Sequence, residues 1–346
     1  MNHRLRHLLL CVTLMLIGVF GQARLAEAQS ATCSAPSISN VAFGTVNFAS
    51  GVTNVTGTIS WSCSSSGILG LLLAEQANIV MCLNLNTGSA STQANPRLLA
   101  SGSNTLQYQL YSNSSDTTIW GSTSTSATPT PLSISVTVPA ALILTSTTTG
   151  STSFYAQLPG TQTTAPVGSY SSNLSATVNG SYTLGTGAAP STCSSGPNTF
   201  STSAATLTAS ATVQKACLVT AGGNLNLGTV LPTAVNTAAN KTISVTCTNG
   251  TPYYVGLSPS NGNTAGAGVM KGTLSGNTDQ VPYQLRSTSG SSGTVWGNTA
   301  TSTSAGNGVS GTGTGISGSL TVYATVSSAN YTPDSYSDVV TINVNF

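Results

Sequence analysis

The sequence predicts an all-β protein built as two antiparallel sandwiches in tandem. Three observations support this fold class: apolar and polar residues alternate over short runs, charged residues make up only 4% of the chain, and one set of landmarks occurs twice. Thr242–Cys247 and Val340–Phe346 alternate at every residue, which is the period of a half-buried strand. Lys and Glu, which usually cover long helices, are scarce, so long helices are not expected.

The first 28 residues have the features of a secretory signal peptide. Arg4 and Arg6 precede an apolar run from Leu8 to Phe20, which is too short to span a bilayer comfortably. Ala26-Glu27-Ala28 then has the small-residue pattern of a cleavage site. We therefore expect residues 1–28 to be removed on export and no transmembrane helix to follow.

The chain after the signal has no histidine and no net charge. Both histidines of the sequence lie in the signal, and five basic and five acidic residues remain. This balance gives no electrostatic reason to expect binding of nucleic acid or anionic lipid. Histidine is the commonest general base and a common zinc ligand, so we expect no enzyme, no cofactor and no metal site. Asp334 and Asp338 are close in sequence, but they flank Tyr336 in an expected turn, where Asp is common.

Six cysteines remain, and an even number in an exported protein predicts three disulfides. The pairs Cys33–Cys63 and Cys217–Cys247 have the same separation, which predicts one disulfide early in each sandwich. Cys82–Cys193 is then the remaining pair by elimination, although six cysteines allow several other connectivities.

The two halves of the chain share seven landmarks in the same order, which chance similarity would not produce. The landmarks of the first copy and their counterparts are Cys33 and Cys217, Phe43-Gly44-Thr45-Val46 and Leu227-Gly228-Thr229-Val230, Thr58-Ile59-Ser60-Trp61-Ser62 and Thr242-Ile243-Ser244-Val245-Thr246, Tyr108-Gln109-Leu110 and Tyr283-Gln284-Leu285, Trp120-Gly121 and Trp296-Gly297, Phe154-Tyr155-Ala156 and Val322-Tyr323-Ala324, and Tyr170-Ser171 and Tyr336-Ser337. We expect an N-terminal domain at 29–184, a linker at 185–201 and a C-terminal domain at 202–346, with Ala204–Val213 as the first strand of the second domain.

These phrases resemble the spore coat protein U domain, in which a first cysteine is followed by F-G-T-V, I-S-W-x-C, Y-Q-L-Y, W-G and Y-S-x-x-V. The resemblance covers nearly all of the chain after the signal, and Leu227 and Arg286 depart from the Phe and Tyr that are commoner in the family. The family contains the pilins of archaic chaperone–usher pili. A two-domain member of this length resembles the tip adhesin of such a pilus.

The resemblance implies immunoglobulin-like sandwiches, the second lacking its last strand and completed by a donor strand from the next subunit. Val340, Ile342, Val344 and Phe346 are then expected to border the groove that accepts this strand. The implied partners are a periplasmic chaperone, an outer-membrane usher and the adjacent pilin subunit. The implied location is the pilus tip at the cell surface, reached through the periplasm. The alternative is that Val340, Ile342, Val344 and Phe346 form an ordinary last edge strand.

The N-terminal end bears on the position of the subunit in the fibre. Only Gln29–Thr32 precede the first cysteine of the mature chain. A donor segment needs about 10 alternating residues to supply main-chain pairing and side-chain pockets. We therefore expect a subunit that accepts a strand without donating one, which places it at the end of a fibre.

The first copy is longer than the second in three places, and two of these insertions, within 67–73 and 139–144, are strongly apolar. The third lies within 161–167. An exposed apolar patch usually marks a contact site, so we expect attachment to an abiotic or host surface, and biofilm formation, through apolar loops. The expected contact residues are Ile68, Leu69, Leu71, Leu72, Leu73, Leu142, Ile143 and Leu144. The alternatives are that these residues belong to the local core, that the tip is a sugar-binding lectin, or that the subunit is purely structural.

Overall fold

The computed structural model describes residues 29–66, 75–124, 128, 130–140, 145–160 and 162–346, and the predicted signal lies outside them. These residues form an all-β protein, as predicted, and none of them lies in a helix long and apolar enough to cross a membrane. The strands are β1 (Ser30–Cys33), β2 (Ser37–Ile38), β3 (Val41–Val46), β4 (Thr53–Ser66), β5 (Ala77–Leu85), β6 (Arg97–Ser101), β7 (Asn104–Tyr111), β8 (Leu132–Val138), β9 (Thr145–Leu158), β10 (Gly168–Leu184), β11 (Asn198–Val213), β12 (Cys217–Ala221), β13 (Val235–Cys247), β14 (Pro252–Pro259), β15 (Ala267–Gly272), β16 (Gln280–Arg286), β17 (Val309–Thr312), β18 (Gly318–Ser328), β19 (Tyr336–Ser337) and β20 (Val340–Asn345).

The strands form two units, which we call the first unit (29–213) and the second unit (217–346). In the first unit one layer has the order β1-β4-β9-β7-β6, with β2 also on β4, and the other has the order β8-β5-β10-β11-β3; a pair between β6 and β10 joins them into one curled sheet. In the second unit the corresponding layers are β12-β13-β18-β16-β15, with the short β19 on β15, and β17-β14-β20. The repeat in the sequence is therefore a repeat of strand order, and each unit has its own apolar core.

Equivalent side chains make equivalent hydrogen bonds in the two units. The buried indoles of Trp120 and Trp296 donate to the carbonyl oxygens of Leu83 and Val255, both at 2.8 Å. The hydroxyl of Tyr170 donates to a carbonyl oxygen four residues earlier at 2.8 Å, and that of Tyr336 does the same at 2.7 Å. A tyrosine bonded to the preceding backbone at a strand corner is typical of immunoglobulin-like sandwiches. These bonds fix which residues correspond.

β11 belongs to the first unit, which corrects the expectation that Ala204–Val213 begins the second domain. β11 pairs antiparallel with β10 and parallel with β3. Its alternate side chains, from Ala205 to Val213, are buried in the core of the first unit. The sequence shows the alternation of this strand but not its partner, because strand pairing is a long-range contact.

The expected linker at 185–201 is likewise part of the first unit. Residues 185–197 connect β10 to β11, and Cys193 is joined to Cys82 of β5 by a disulfide. The other two disulfides are Cys33–Cys63 and Cys217–Cys247, so all three have the pairing given by the sequence analysis. The connection between the units is instead Gln214-Lys215-Ala216, which lies between β11 and β12.

The two units touch at a joint beside this connection. Pro166 of the first unit forms a parallel bridge with Asn249 of the second, and the Asn249 side chain donates to the Thr164 carbonyl oxygen at 2.6 Å. Gly315 lies against the same loop, with a positive φ of 79°, and a Cβ atom there would be 1.9 Å from the Thr163 carbonyl oxygen. The joint therefore requires glycine at position 315 for both space and backbone conformation.

Candidate functional site

The two apolar insertions join strand ends that meet at one end of the first unit, which we call the distal pole. β4 ends at Ser66, which pairs with Thr145, the first residue of β9. β5 begins at Ala77, which pairs with Val138 at the end of β8 and with Leu184 at the end of β10. The connections 67–76, 139–144 and 185–197 all leave from these ends, so the fold brings together segments that are far apart in sequence.

Hydrogen bonds between the layers hold the distal pole together. The Gln29 side chain receives a bond from the Glu75 amide at 3.1 Å, and its Nε2 donates to the Ser65 hydroxyl at 3.1 Å and to the Glu75 carbonyl oxygen. Thr148 of β9 donates to the Thr137 carbonyl oxygen of β8 at 3.3 Å. The bases of both insertions are thus tied to the sandwich.

The connection 185–197 covers the outer face of β5 at the same pole. Cys82, Cys193 and Val80 form a small buried cluster on that face, outside the main core. The buried Asn78 side chain donates to the carbonyl oxygens of Gly185 and Gly187 at 3.0 and 2.9 Å. β5 is consequently buried on both faces along its whole length. This covering anchors the strand that follows the first insertion.

The expected contact residues lie in two segments outside the described residues, 67–74 and 141–144, and the structure does not test them. The structure does limit one alternative, in which these residues lengthen the neighbouring strands. β5 begins at Ala77, three residues after the first segment, and β8 ends at Val138, before Pro139. The described residues 75–76 and 139–140 therefore belong to neither strand.

The distal pole lies far from the joint. β10 begins at Gly168, two residues after the Pro166 bridge to the second unit, and ends at Leu184 at the distal pole. Its 17 residues, at about 3.3 Å each, span roughly 50 Å. Residues 162–167 of the third insertion include the loop of the joint, so this part of the insertion contacts the second unit and is not at the pole.

The second unit differs from the first at one edge of β20, because none of the described residues forms a strand in the place corresponding to β11. The equivalence of β10 and β20 follows from their pairing: Ala176 lies opposite Leu85, and Ile342 lies opposite Leu257. In β10, Leu174 and Ala176 are buried, whereas the corresponding Val340 and Ile342 are only half-buried. The edge that β11 covers in the first unit is therefore uncovered in the second.

Residues 225–230, which correspond to β3 of the first unit, are also more exposed than their counterparts. Val41 and Val46 of β3 are 0% and 5% exposed, whereas Val230, the counterpart of Val46, is 44% exposed. Gly44 and Gly228 have φ angles of 72° and 82°, so the backbone has the same glycine-dependent conformation at this point in both copies. We call the surface between 225–230 and β20 the open groove.

Three of the four predicted edge residues lie along the open groove. Val340, Ile342 and Val344 are half-buried and pack against the core of the second unit, while Phe346 follows the end of β20 and is 41% exposed. Leu225 and Leu227 pack against the same core from the facing segment. These two leucines were not expected at the groove from the sequence, although Leu227 lies in the L-G-T-V landmark that matches F-G-T-V of the first copy and could have identified it.

A hydrogen-bonded polar pair lies beside the open groove. The Tyr283 hydroxyl donates to Asp338 Oδ2 at 2.6 Å. Burial raises the pKa of Tyr283 above its usual range, and the hydrogen bond to the Asp338 carboxylate adds to this. Desolvation by itself raises the pKa of Asp338, but hydrogen bonds from Ser260, Tyr283 and the Val339 amide outweigh it, so the net pKa is lowered. The groove thus has an ionised carboxylate at one point of an apolar lining.

Within the described ranges, no three His, Cys, Asp or Glu side chains come together as a metal site would require. The groups of interest are therefore the distal pole and the open groove.

The family model of the spore coat protein U domain matches residues 20–177 and 203–343. A comparison with curated proteins gives no match. Among solved structures, the chain is similar to a chain of the CsuC–CsuE chaperone–tip adhesion subunit pre-assembly complex, from archaic chaperone–usher Csu pili of Acinetobacter baumannii. The TM-score is 0.45 at 17% identity, with 92% of this chain and 100% of that chain covered. The CupB6 tip adhesin from Pseudomonas aeruginosa has a TM-score of 0.33 at 11% identity, covering 90% and 94% of the two chains.

Proposed function

Because the chain belongs to the spore coat protein U domain family, we propose that it is the tip adhesin subunit of a surface pilus and mediates attachment and biofilm formation. The first unit makes contact through the apolar insertions 67–74 and 139–144. The second unit accepts a donor strand from the next subunit. A periplasmic chaperone and an outer-membrane usher assemble the pilus, and the chain is exported through the periplasm to its tip.

The arrangement of strand ends carries the contact part of this proposal. Both apolar insertions join the distal pole, about 50 Å along β10 from the joint with the second unit. Of the charged residues described in the first unit, only Glu75 lies beside these strand ends. Transfer of a leucine-sized side chain from water is worth roughly 1.5–3 kcal/mol when burial is complete. Several such side chains on many tips would hold an apolar surface through avidity.

Replacement of Leu71, Leu72, Leu142 and Ile143 by Ser tests the contact role. We expect retention on a hydrophobic surface, and attachment of cells carrying the pilus, to fall while the unfolding temperature stays unchanged. The matched control replaces Val52 and Val167, which are exposed on described parts of the first unit away from the pole, by Ser.

Three results would count against the contact role. Equal loss of retention in the control would show a general effect of surface polarity. A marked fall in unfolding temperature in the leucine variant would place those residues in the core, since each buried leucine lost costs about 2–5 kcal/mol. Inhibition of attachment by soluble glycans, with the leucine variant unaffected, would instead indicate a lectin.

The uncovered edge of β20 carries the assembly part of the proposal. A free strand edge beside apolar side chains is a site for strand addition and, if left open, a hazard for aggregation. We expect Val340→Asp, which introduces a charge into the open groove, to abolish incorporation into pili and co-purification with the chaperone. Thr341→Asp places the same charge on the adjacent exposed residue and should leave both intact. Normal incorporation of the Val340 variant would refute the role of this edge.

A further inference from the structure

In the first unit, β11 occupies the place that corresponds to the open groove of the second unit. It lies between β10 and β3, antiparallel to the first and parallel to the second. Its inward side chains are each at most 5% exposed and are mostly small: Ala205, Leu207, Ala209, Ala211 and Val213. Because the two units share strand order and register, β11 shows which side chains such a place can hold.

The register of β11 can be transferred to the open groove residue by residue. Ala209 lies opposite Ser172 of β10 and opposite Val41 of β3, and Leu207 lies opposite Leu174. The tyrosine corners at Tyr170 and Tyr336 align the two edges. The positions that correspond to Ala211, Ala209, Leu207 and Ala205 therefore lie opposite Tyr336, Asp338, Val340 and Ile342, respectively.

The groove sets a different requirement at each of these positions. Opposite Val340, a leucine-sized side chain would meet the apolar core of the second unit, as Leu207 does in the first. The residue of the first unit that corresponds to Asp338 is Ser172, and β11 places the fully buried Ala209 opposite it. Asp338 carries a carboxylate where Ser172 carries a hydroxyl, and a bulky apolar side chain there would remove water from that charge, which is costly.

We infer that the strand filling the open groove is a segment of a partner subunit with the side-chain pattern of β11. It runs antiparallel to β20, has a leucine-sized residue opposite Val340, and has a residue no larger than alanine opposite Asp338. This inference rests on the proposed function of the groove as a strand acceptor and specifies the chemistry of the partner strand.

A peptide with the sequence of residues 204–213 provides the test, with two lysines appended for solubility. The probe is titrated into the full chain lacking residues 1–28, and its affinity is compared with that of two altered peptides. We expect the parent peptide to bind, Ala209→Leu to weaken binding at least tenfold, and Leu207→Asp to abolish it. Equal or tighter binding of the Ala209→Leu peptide would overturn the inference, as would the absence of binding by the parent peptide.

Hydrogen exchange locates the bound peptide. We expect new protection in 225–230 and in β20, with β11 of the protein unchanged. Protection lost in β11 would show that the peptide replaces β11 in the first unit, which would refute binding at the groove.

Two protein variants separate this inference from the proposed function. Asp338→Ser recreates the residue that β11 meets in the first unit, so it should bind the parent peptide more tightly and tolerate the Ala209→Leu peptide better than the parent protein does. Unchanged discrimination between the peptides would refute the role given to Asp338. If no peptide binds, yet Val340→Asp still prevents incorporation into pili, the pattern inferred for the partner strand is wrong and the acceptor role stands.

Discussion

Leu207→Ala tests whether β11 is part of the core of the first unit. Leu207 is 3% exposed and lies opposite Leu174 in the middle of β11. The change removes three carbon atoms, and at about 0.8 kcal/mol for each buried methylene the transfer term is roughly 2.4 kcal/mol. The cavity left behind adds to this, so we expect a total loss of about 2–5 kcal/mol in the free energy of unfolding of the first unit.

The assay must report on each unit separately, because a two-unit chain does not unfold as a single two-state system. Hydrogen exchange at increasing denaturant, followed by mass spectrometry, gives separate free energies for peptides from β5 and β10 and for peptides from β13 and β14. Leu218→Ala is the matched control, since Leu218 is 56% exposed on β12. An exposed substitution of this kind changes stability by about 0.5 kcal/mol or less.

The result that would refute the reasoning is a loss confined to the second unit. That outcome would mean that Ala204–Val213 serves as the first strand of the second domain, as the sequence pattern alone indicated. A loss below about 1 kcal/mol in both units would mean that β11 is not packed as the structure describes.

Three further predictions concern other parts of the fold. Arg97 is fully buried and donates to the buried Gln109 Oε1 at 2.6 Å and Trp120 carbonyl oxygen at 2.8 Å, so Arg97→Met should destabilise the first unit by at least about 2 kcal/mol, since each buried acceptor that loses a partner costs roughly 1–3 kcal/mol. Lys271→Met, on the surface, should have little effect in the same denaturant assay. Desolvation alone would raise the pKa of Asp334, but the hydrogen bonds that its carboxylate accepts outweigh this effect and lower the pKa to about 2. Its contribution to the second unit is therefore present above the ordinary carboxyl pKa near 4 and is lost as the pH falls through about 2, and Asp334→Asn should flatten this part of the measured stability–pH curve. Gly315→Ala should open the joint, seen as a broader distance distribution in X-ray scattering, whereas Gly276→Ala, which has a similar φ of 85° but open space around it, should not.

Most of the fold could be predicted from the repeated landmarks, because each landmark corresponds to a local physical requirement. The cysteine pairs, the tyrosine corners and the buried tryptophans recur because the same strands need the same anchors, and their spacing predicted two equivalent sandwiches. The G-T-V phrase also recurs, with its glycine at a positive φ at Gly44 and Gly228, even though Val230 is exposed in the second unit.

The boundary between the domains could not be read from composition. Residues 185–201 are rich in Gly, Ser and Pro, as linkers often are, yet they form a connection at the distal pole. The pairing of Cys82 with Cys193 contained the missing information, since a disulfide to β5 keeps this segment within the first unit. β11 was misplaced for a related reason: the first copy has no described strand before Cys33 that corresponds to it, so the repeat offered no comparison.

The location of the apolar insertions in the fold could likewise not be predicted from the sequence. Periodicity identified 67–73 and 139–144 as unusual for loops, but only the pairing of Ala77 with both Val138 and Leu184 brings their strand ends together. The third insertion, which is not strongly apolar, lies at the opposite end of the first unit, in the joint. The insertions therefore lie at different ends of the first unit because the strands that they connect end there.

The two copies of the domain differ chiefly in whether the chain itself supplies one strand of the sandwich. In the first unit, β11 completes the sandwich from within the chain, and only three residues separate it from β12 and the Cys217–Cys247 disulfide. The strand that closes the first core is thus also the tether to the second unit, so a pull between the units acts along β11 while it is paired on both edges. In the second unit the corresponding edge is uncovered, and any strand that fills it from another chain would become a tether of the same kind. The proposed roles agree with this difference, since β11 completes the first unit and the second unit has an uncovered edge at which a partner strand could pair.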